Sequence, residues 1–247
     1  MKVLIHGALG RMGREVCRLV DEGYEGSELA CAVDVFSDSA DVLNSLDEFK
    51  GDADVIIDFS SAAATESVTN YAVRRGIPLV LCTTGQNEAQ KAMIADAATK
   101  IPVFRSANMS VGVAVFVKMA GEVAKMFPNA DIEIIIESHH NRKVDAPSGT
   151  ALMLAERIRA ARGSGEFVFG RHGASKRTAG EIGIHAVRGG NIVGIHEVAV
   201  ITDSQTITLK HEAHSRSLFA EGALTAARFL CAKGAGMYDM YDTIGEL

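Results

Sequence analysis

The chain has 247 residues, of which 47% are hydrophobic and 23% are charged, a composition typical of a globular protein with one large or two modest cores. Its formal net charge is −6 at pH 7, and an acidic balance disfavours binding to nucleic acid or to an anionic membrane surface. No apolar run approaches the roughly 18–20 residues that span a bilayer, and a strand pattern begins at Lys2, so we expect no signal peptide. The four cysteines include no C-x-x-C pair, and we therefore expect a reducing, cytoplasmic setting.

Short β-rich runs alternate with amphipathic helical stretches over the first hundred residues. The β-rich runs are nearly continuous in apolar residues, as in strands that helices cover on both faces. This alternation predicts a doubly wound parallel sheet. The predicted strands are Val3–His6, Leu29–Asp34, Val55–Phe59, Pro78–Cys82 and Pro102–Arg105, and the predicted helices are Met12–Asp21, Ala63–Arg75 and Glu88–Lys100. Residues 35–54 are polar and too irregular to predict a helix.

The pattern changes after about residue 108. Residues 163–180 are rich in Gly, Ser, Arg and Lys and predict a mobile surface loop. Runs with period-two alternation follow this loop, and the short joint Thr202–Ser204 predicts a hairpin. The predicted helices of this half are Val113–Met126, Thr150–Arg162 and Leu218–Lys233, and the predicted strands are Asp131–Glu137, Glu181–Val187, Ile192–Ile201 and Gln205–His211.

Glycines at positions 7, 10 and 13 join the first predicted strand to the first helix with the spacing G-x-x-G-x-x-G. Glycines permit a tight turn, a close approach of backbone to a pyrophosphate, and close packing of helix on strand. The next predicted strand ends at Asp34, about 20 residues beyond Gly13, which is near the spacing of a carboxylate that binds the adenosine ribose. The sequence therefore predicts a dinucleotide site, with a plain turn and a solvated aspartate as the alternative.

The residues around Asp34 also predict which cofactor is favoured. A carboxylate accepts hydrogen bonds from a free 2′-hydroxyl and repels a 2′-phosphate. Val35 follows it, so no basic residue there binds the extra phosphate, although Arg11 in the glycine loop offers partial compensation. We expect NADH to be favoured, with NADPH as a possible second cofactor. Thr83 and Thr84 follow the fourth strand and are expected to contact ribose or nicotinamide, and an N-cap at Thr84 is the alternative.

The segment Glu137–Ala151 has the sequence E-S-H-H-N-R-K-V-D-A-P-S-G-T-A. Imidazole has an ordinary pKa near neutrality, so His139 at the end of a strand suits proton donation beside hydride transfer. Lys143 either holds a carboxylate or gives a proton. Ser148-Gly149-Thr150 begins a helix whose free N–H groups would hold a second carboxylate. This combination predicts a reductase that acts on a small substrate with two carboxylates.

Two other interpretations of the histidines are open. One is a solvated basic loop followed by an ordinary helix cap. The other is a metal site, whose ligands would be His139, His140, His211 and His214. Because the spacing of a persuasive zinc site and a cysteine pair are lacking, we expect no metal. Structural or exposed positions are expected for the other four histidines, which are His6, His172, His185 and His196.

Together these motifs resemble the 4-hydroxy-tetrahydrodipicolinate reductase (dihydrodipicolinate reductase) family of diaminopimelate and lysine biosynthesis. The resemblance covers nearly the full length, and the run H-H-x-x-K-x-D-A-P-S-G-T-A is highly specific to the family. The matching segments, in family order, are Gly7–Gly13, Asp58–Ser60, Thr83–Gly85, Asn108–Val113, Glu137–Ala151, Gly189–His196 and Ser215-Arg216.

The resemblance implies NAD(P)H-dependent reduction of 4-hydroxy-tetrahydrodipicolinate to tetrahydrodipicolinate, with hydride transfer to C4. His139 would be the proton donor, assisted by Lys143. The residues that would bind the substrate carboxylates are His140, Lys143, Gly149 and Thr150. The residues that would line the dinucleotide are Gly7, Ala8, Leu9, Gly10, Arg11, Met12, Asp34, Cys82, Thr83, Thr84, Ser106, Ala107, Asn108 and Met109.

The resemblance also implies an α/β fold with two domains. Residues 1–108, completed by residues 217–247, would form a Rossmann-like doubly wound parallel sheet that binds the dinucleotide. Residues 109–216 would form a central α+β domain with a mixed or antiparallel sheet, which binds the substrate and assembles a homotetramer.

The chain departs from the family's usual residues at four positions. Cys82, Met109 and Ala62 change packing near the cofactor, while Val35 disfavours NADPH. Two alternatives stay open at this point: a related dehydrogenase acting on another amino-dicarboxylate, and a non-catalytic NADH-sensing protein.

Overall fold

The computed structural model describes residues 1–245, except for the side chains of Ile135 and Ile136. The chain folds into two compact units. The first consists of Met1–Val111 and the C-terminal segment that begins at Arg216, and the second is Gly112–Ser215. None of the helices among the described residues is both long and apolar enough to cross a membrane.

The strands, in chain order, are β1 (Lys2–His6), β2 (Glu28–Val33), β3 (Val42–Leu43), β4 (Val55–Asp58), β5 (Leu79–Leu81), β6 (Pro102–Arg105), β7 (Asp131–His139), β8 (Glu166–Phe169), β9 (Glu181–Arg188), β10 (Gly194–Ile201), β11 (Thr206–Ala213) and β12 (Gly236–Tyr238). The α-helices are α1 (Arg11–Asp21), α2 (Thr65–Arg75), α3 (Glu88–Ala98), α4 (Val111–Met126), α5 (Gly149–Arg162), α6 (Ser217–Leu230) and α7 (Met240–Thr243).

The first unit contains a seven-stranded parallel sheet in the order β12-β6-β5-β4-β1-β2-β3. Its central strands are apolar and buried because both faces of a doubly wound sheet are covered; in β1, for example, Val3, Leu4 and Ile5 have no exposed surface. The strand order reverses direction between β1 and β4, and in this type of sheet ligands bind at the carboxyl ends of the strands on either side of such a reversal. His6 and Asp58 end these two strands.

The second unit contains a five-stranded mixed sheet in the order β11-β10-β7-β9-β8. The central strand β7 is antiparallel to β10 and parallel to β9. Within β7, the core residues Ile132 and Ile134 alternate with Asp131 and Glu133, so that one face of the sheet is apolar. Helices α4 and α5 contribute Val117, Leu154 and other residues to the same core cluster.

The structure confirms the predicted fold class, a doubly wound parallel sheet together with a mixed sheet. The hairpin is also confirmed, since β10 and β11 pair antiparallel and Thr202 N donates to Gln205 O at 2.8 Å. The prediction of a loop over the whole of residues 163–180 was wrong, because β8 lies within it and pairs with β9. Phe167 of β8 packs against the core cluster, and the Arg159 guanidinium lies 4.5 Å from its ring centroid.

Candidate active site

The glycine loop after β1 has a conformation that requires glycine at two positions. Gly7 has a φ of +79°, and a Cβ there would lie 2.7 Å from Ser60 N. A Cβ on Gly13 would overlap the carbonyl oxygen of Gly7. Helix α1 begins directly after Gly10, and no side chain caps it. Because the first N–H groups of a helix have no partner within the helix, this end of α1 suits a phosphate group.

A cavity of ≈ 320 Å³ lies beside this loop, and Asp34 forms part of its wall. Asp34 Oδ2 accepts a hydrogen bond from Leu9 N at 2.9 Å, and Asp34 Oδ1 accepts one from Phe36 N at 3.0 Å. Each carboxylate oxygen has a second lone pair, so both remain able to accept from a ribose hydroxyl. Val35 and Phe36, which also line the cavity, are 66% and 85% exposed. The residues present therefore fit an adenosine ribose.

A buried carboxylate joins three segments at the carboxyl edge of the sheet. Asp58 has no exposed surface, and its Oδ1 lies 2.7 Å from His6 Nδ1. Ser60 Oγ donates to Asp58 Oδ1 at 2.5 Å, and Thr83 Oγ1 donates to Asp58 Oδ2 at 2.6 Å. In the sequence, Asp58 had a place in a family motif without a role, and a structural or exposed position was expected for His6. The network shows that both hold the strand ends that line the cavity.

The residues after β5 take different environments. Burial, together with the charge of Asp58, raises the pKa of the Cys82 thiol well above its ordinary value, which disfavours the reactive thiolate form. Thr83 is buried and Thr84 is exposed. The alternative of a helix cap at Thr84 was wrong, because Asn87 caps α3 in a capping box with Gln90.

Residues 106–109 follow β6 and lie at the same edge of the sheet. Ser106 Oγ donates to Asn108 O at 2.8 Å, and Asn108 Oδ1 accepts from Ser110 N at 2.9 Å. Ala107 is exposed, whereas Met109 is buried. A Cβ on Gly222 of α6 would overlap the Met109 carbonyl oxygen, which shows how closely α6 packs on this turn.

In the second unit, β7 ends in a pair formed by a carboxylate and an imidazole. Glu137 is fully buried, and its Oε2 lies 2.6 Å from Nδ1 of His139. Arg188 of β9 donates to both oxygens of Glu137, at 3.0 Å and 2.7 Å. Burial by itself raises the pKa of Glu137, but the hydrogen bonds from His139, Arg188 and Ser148 N outweigh it and lower that pKa. Glu137 is therefore ionised at neutral pH.

The N-terminus of α5 is attached to the same carboxylate. Ser148 N donates to Glu137 Oε1 at 2.9 Å. Ser148 is also the N-cap of α5, because its Oγ accepts from Ala151 N at 3.2 Å. Gly149 is exposed and a Cβ there would meet nothing within 4 Å, so an anion has room at this helix end. Glu137 therefore contacts both the predicted proton donor, His139, and the N-terminus of α5, which is predicted to bind a substrate carboxylate.

His196 of β10 lies against His139. The two ring centroids are 5.1 Å apart with the rings edge to face, and His196 Nε2 is 3.0 Å from Ser148 Oγ. Burial and the neighbouring His139 lower the pKa of His196 to about 4. His196 is therefore neutral near pH 7, and its burial agrees with the structural or exposed position expected for it. A Cβ on Gly194 would lie 3.2 Å from His139 Nε2, which explains the glycine at that position.

The segment between β7 and α5 contains the remaining predicted site residues. Lys143 Nζ lies 2.8 Å from Asp145 Oδ1, and this contact lowers the pKa of the Asp145 carboxyl. Lys143 N donates to His140 O at 3.1 Å, so the two residues belong to one turn. Both are half-buried, as is Thr150 in the first turn of α5.

Among the described residues, one group of three side chains has the spacing of metal ligands: Glu137, His139 and His196, whose donor atoms lie within 4.8 Å of one another. His139 is the one member that this group shares with the four histidines considered from the sequence. His211 instead stacks on Phe116. The Arg188 cation already holds both oxygens of Glu137, and a metal ion there would face that positive charge. These contacts favour a proton-transfer site.

Comparison with known proteins identifies the family. The model of the N-terminal domain of dihydrodipicolinate reductase matches residues 1–109, and the model of the C-terminal domain matches residues 112–244. The 4-hydroxy-tetrahydrodipicolinate reductase of Alkaliphilus metalliredigens is 43% identical over 249 residues, covering 99% of both chains. That of Caldanaerobacter subterraneus subsp. tengcongensis is 44% identical, covering 99% of this chain and 98% of its own.

Solved structures agree with this result. The dipicolinate-bound dihydrodipicolinate reductase from Paenisporosarcina sp. TG-14 superposes with a TM-score of 0.81 at 25% identity, covering 97% of each chain. A probable dehydrogenase from Thermotoga maritima superposes with a TM-score of 0.62 at 12% identity, covering 98% of this chain and 92% of its own, and shows likeness of fold alone. The chain belongs to the dihydrodipicolinate reductase family.

Proposed function

We propose that this protein reduces 4-hydroxy-tetrahydrodipicolinate to tetrahydrodipicolinate, the reduction step of diaminopimelate and lysine biosynthesis. One observation supports this most directly. In a chain more than 40% identical to named reductases over its full length, Glu137 holds both the imidazole of His139 and the N-terminus of α5. A proton donor beside a helix end that suits carboxylates is what reduction of a dicarboxylate substrate requires.

The first unit would bind the nicotinamide dinucleotide. Its pyrophosphate would be held by the loop Gly7–Met12, and its adenosine ribose by Asp34. The segments Cys82–Thr84 and Ser106–Met109 end strands at the same edge of the sheet and would line the rest of the cofactor. A bound NADH or NADPH would supply the hydride that reduces C4 of the substrate.

NADH would be the favoured cofactor. The Asp34 carboxylate can accept from a 2′-hydroxyl but repels a 2′-phosphate. The two residues after it, Val35 and Phe36, are exposed and apolar and offer no positive charge. NADPH would therefore be used less efficiently, with Arg11 as the nearest basic residue in the loop sequence.

The second unit would bind the substrate and donate the proton. Because Nδ1 of His139 faces Glu137, Nε2 is the ring nitrogen left to transfer a proton. Lys143 would assist as a second donor, since its ammonium group can hold a carboxylate or give a proton. The substrate carboxylates would be bound by His140, Lys143, Gly149 and Thr150.

The second unit would also assemble the protein into a homotetramer. Strand β11 exposes every second side chain in this single chain, which leaves a sheet surface open to a further copy. Sedimentation equilibrium would measure the assembly, and a monomer at micromolar concentration would contradict it.

The first experiment is to follow the oxidation of NADH and of NADPH by the purified protein with freshly generated 4-hydroxy-tetrahydrodipicolinate. We expect rapid oxidation that depends on this substrate, with a larger kcat/KM for NADH. Parallel reactions with other amino-dicarboxylates test the nearest alternative, a related dehydrogenase. No oxidation in a protein that still binds NADH would overturn the reductase assignment and leave the dinucleotide site intact.

A further inference from the structure

Glu137 receives hydrogen bonds from three parts of the second unit. Its Oε1 accepts from Arg188 Nη2 at 2.7 Å and from Ser148 N at 2.9 Å. Its Oε2 lies 2.6 Å from His139 Nδ1 and accepts from Arg188 Nη1 at 3.0 Å. An ionised carboxylate only accepts hydrogen bonds. The proton between the two side chains therefore belongs to Nδ1 of His139, which leaves the lone pair of the neutral ring on Nε2.

Arg188 fixes the carboxylate in this orientation. Its guanidinium donates to both oxygens of Glu137 and also to the carbonyl oxygen of Asp145 at 2.6 Å. A guanidinium is a planar donor that matches a carboxylate at two points, so Glu137 cannot rotate without losing both bonds. The strand register places this pair, because Arg188 is the partner of His139 across β7 and β9.

We propose, on the basis of the reductase function above, that Glu137 is a positioning residue for proton transfer. With the Nδ1 proton held by Glu137, Nε2 is the nitrogen that takes up a proton from solvent, and the imidazolium beside the carboxylate then gives that Nε2 proton to the substrate. Glu137 also holds the N-terminus of α5 in register with this imidazole, and Arg188 keeps the carboxylate in place. The competing explanation is a buried ion pair that stabilises the fold alone.

The substitution Glu137→Gln separates these explanations because the hydrogen-bond pattern dictates how the amide sits. The Oε1 position faces two donors that cannot change, Arg188 Nη2 and Ser148 N. The Oε2 position faces Arg188 Nη1 and the His139 ring, which can change its tautomer. The amide oxygen therefore occupies the Oε1 position, and the bond from Arg188 Nη1 is lost. The amide NH₂ then faces His139 Nδ1, which has to present its lone pair, and the ring proton moves to Nε2. A wrong tautomer of this kind costs catalysis even when the geometry is preserved.

The matched control is Glu133→Gln on the same strand. Glu133 also contacts an arginine and a histidine, Arg177 and His185. This second cluster repeats the residue types of the first but includes no predicted site residue. Its substitution therefore reports the general cost of breaking a carboxylate–arginine–histidine cluster on β7.

The tautomer is read by NMR of protein labelled with ¹⁵N at histidine, without substrate and at mildly alkaline pH, with the His139 signals assigned by their loss in His139→Gln. We expect the wild-type ring to carry its proton on Nδ1 and the ring in Glu137→Gln to carry it on Nε2. In the same variant we expect kcat to fall by roughly 10²–10⁴, because the wrong tautomer removes the contribution of the general acid. The solvent deuterium isotope effect on kcat should increase, while Glu133→Gln should leave the tautomer, kcat and the isotope effect unchanged.

Two results would overturn the proposal. One is a wild-type His139 with its proton on Nε2, a measurement that requires no variant and so does not depend on whether Glu137→Gln folds. The other is a Glu137→Gln protein that retains the Nδ1 tautomer, whatever its activity, because Glu137 would then not select the tautomer. A loss of kcat with an unchanged isotope effect would likewise indicate a merely structural role. Because the tautomer is measured without the reaction, an inactive wild-type enzyme would refute the reductase function separately.

Discussion

At the scale of single residues, three buried carboxylates have different roles because different hydrogen-bond donors surround them. Asp58 binds hydroxyl groups and an imidazole at strand ends of the first unit. Asp34 binds backbone N–H groups beside a cavity. Glu137 binds an arginine and the imidazole of the predicted proton donor. The role of each carboxylate therefore follows from its hydrogen-bond partners.

His139→Gln should lower kcat by roughly 10²–10⁴, which is the usual contribution of a general acid. The glutamine amide cannot donate and regain a proton, although it fills a similar volume. Steady-state kinetics with saturating cofactor would measure the change. His172→Gln, an exposed histidine in the same unit, is the control and should turn over normally. An unchanged kcat in His139→Gln would remove this histidine from the mechanism.

Asp34→Asn should shift cofactor use toward NADPH. The charge that repels a 2′-phosphate is lost, and so is a charge-assisted hydrogen bond to the 2′-hydroxyl, which is worth about 1.5–3 kcal/mol. We expect the ratio of kcat/KM for NADH to that for NADPH to fall by roughly tenfold or more. Damage to the glycine loop would lower both values together, so the ratio isolates the effect of charge. An unchanged ratio would show that Asp34 does not select the cofactor.

At the scale of elements, the site depends on where strands and helices end. The segments Gly7–Met12, Cys82–Thr84 and Ser106–Met109 follow β1, β5 and β6, whose carboxyl ends share one edge of a parallel sheet. These elements were predicted from the sequence because their apolar runs are long enough to be recognised locally. Strands β3, β8 and β12 were not predicted. They are two to four residues long, and each pairs with a strand that the rest of the fold supplies.

Ser148→Ala should destabilise α5 and weaken substrate binding. The serine hydroxyl caps the helix, and loss of an N-cap typically costs about 1 kcal/mol of stability. Because this cap lies at the end of α5 that is proposed to bind a substrate carboxylate, we expect a higher KM for the substrate and a smaller effect on the KM for NADH. Urea denaturation and steady-state kinetics would measure the two effects.

The matched control for this prediction is Asn87→Ala, which removes the N-cap of α3 in the first unit. It should cost a similar amount of stability and leave the KM for the substrate unchanged. An equal rise in the KM for the substrate in both variants would indicate that general destabilisation, and not loss of the carboxylate-binding end of α5, causes the rise.

At the scale of the whole molecule, the buried His196 makes stability depend on pH. His196 has a pKa of about 4 in the folded chain, against an ordinary value of 6.5. Below pH 6.5 the unfolded chain binds a proton there that the folded chain does not bind. The stabilisation is therefore fully present above about pH 6.5 and is lost as the pH falls toward 4.

Between pH 7 and pH 5 we expect His196 to contribute a loss of about 2 kcal/mol in the free energy of unfolding. His196→Asn should show a correspondingly smaller decrease over this range, although it is less stable at pH 7. His172→Gln should show the same decrease as the wild-type protein, because that side chain is exposed. Equal decreases in the wild-type and His196→Asn proteins would contradict the assignment.

The sequence by itself determined the class of sheet, and it predicted the glycine loop, Asp34 and the run from His139 to Thr150 as parts of the site. These signals are local, since they consist of periodicity, spacing and residue type within one stretch of chain. The tertiary structure decided what surrounds them. Arg188 is 51 positions from Glu137, and His196 is 48 from Ser148. The register of β7 with β9 and β10 brings such residues together, and register depends on which strands become neighbours, which no local pattern specifies.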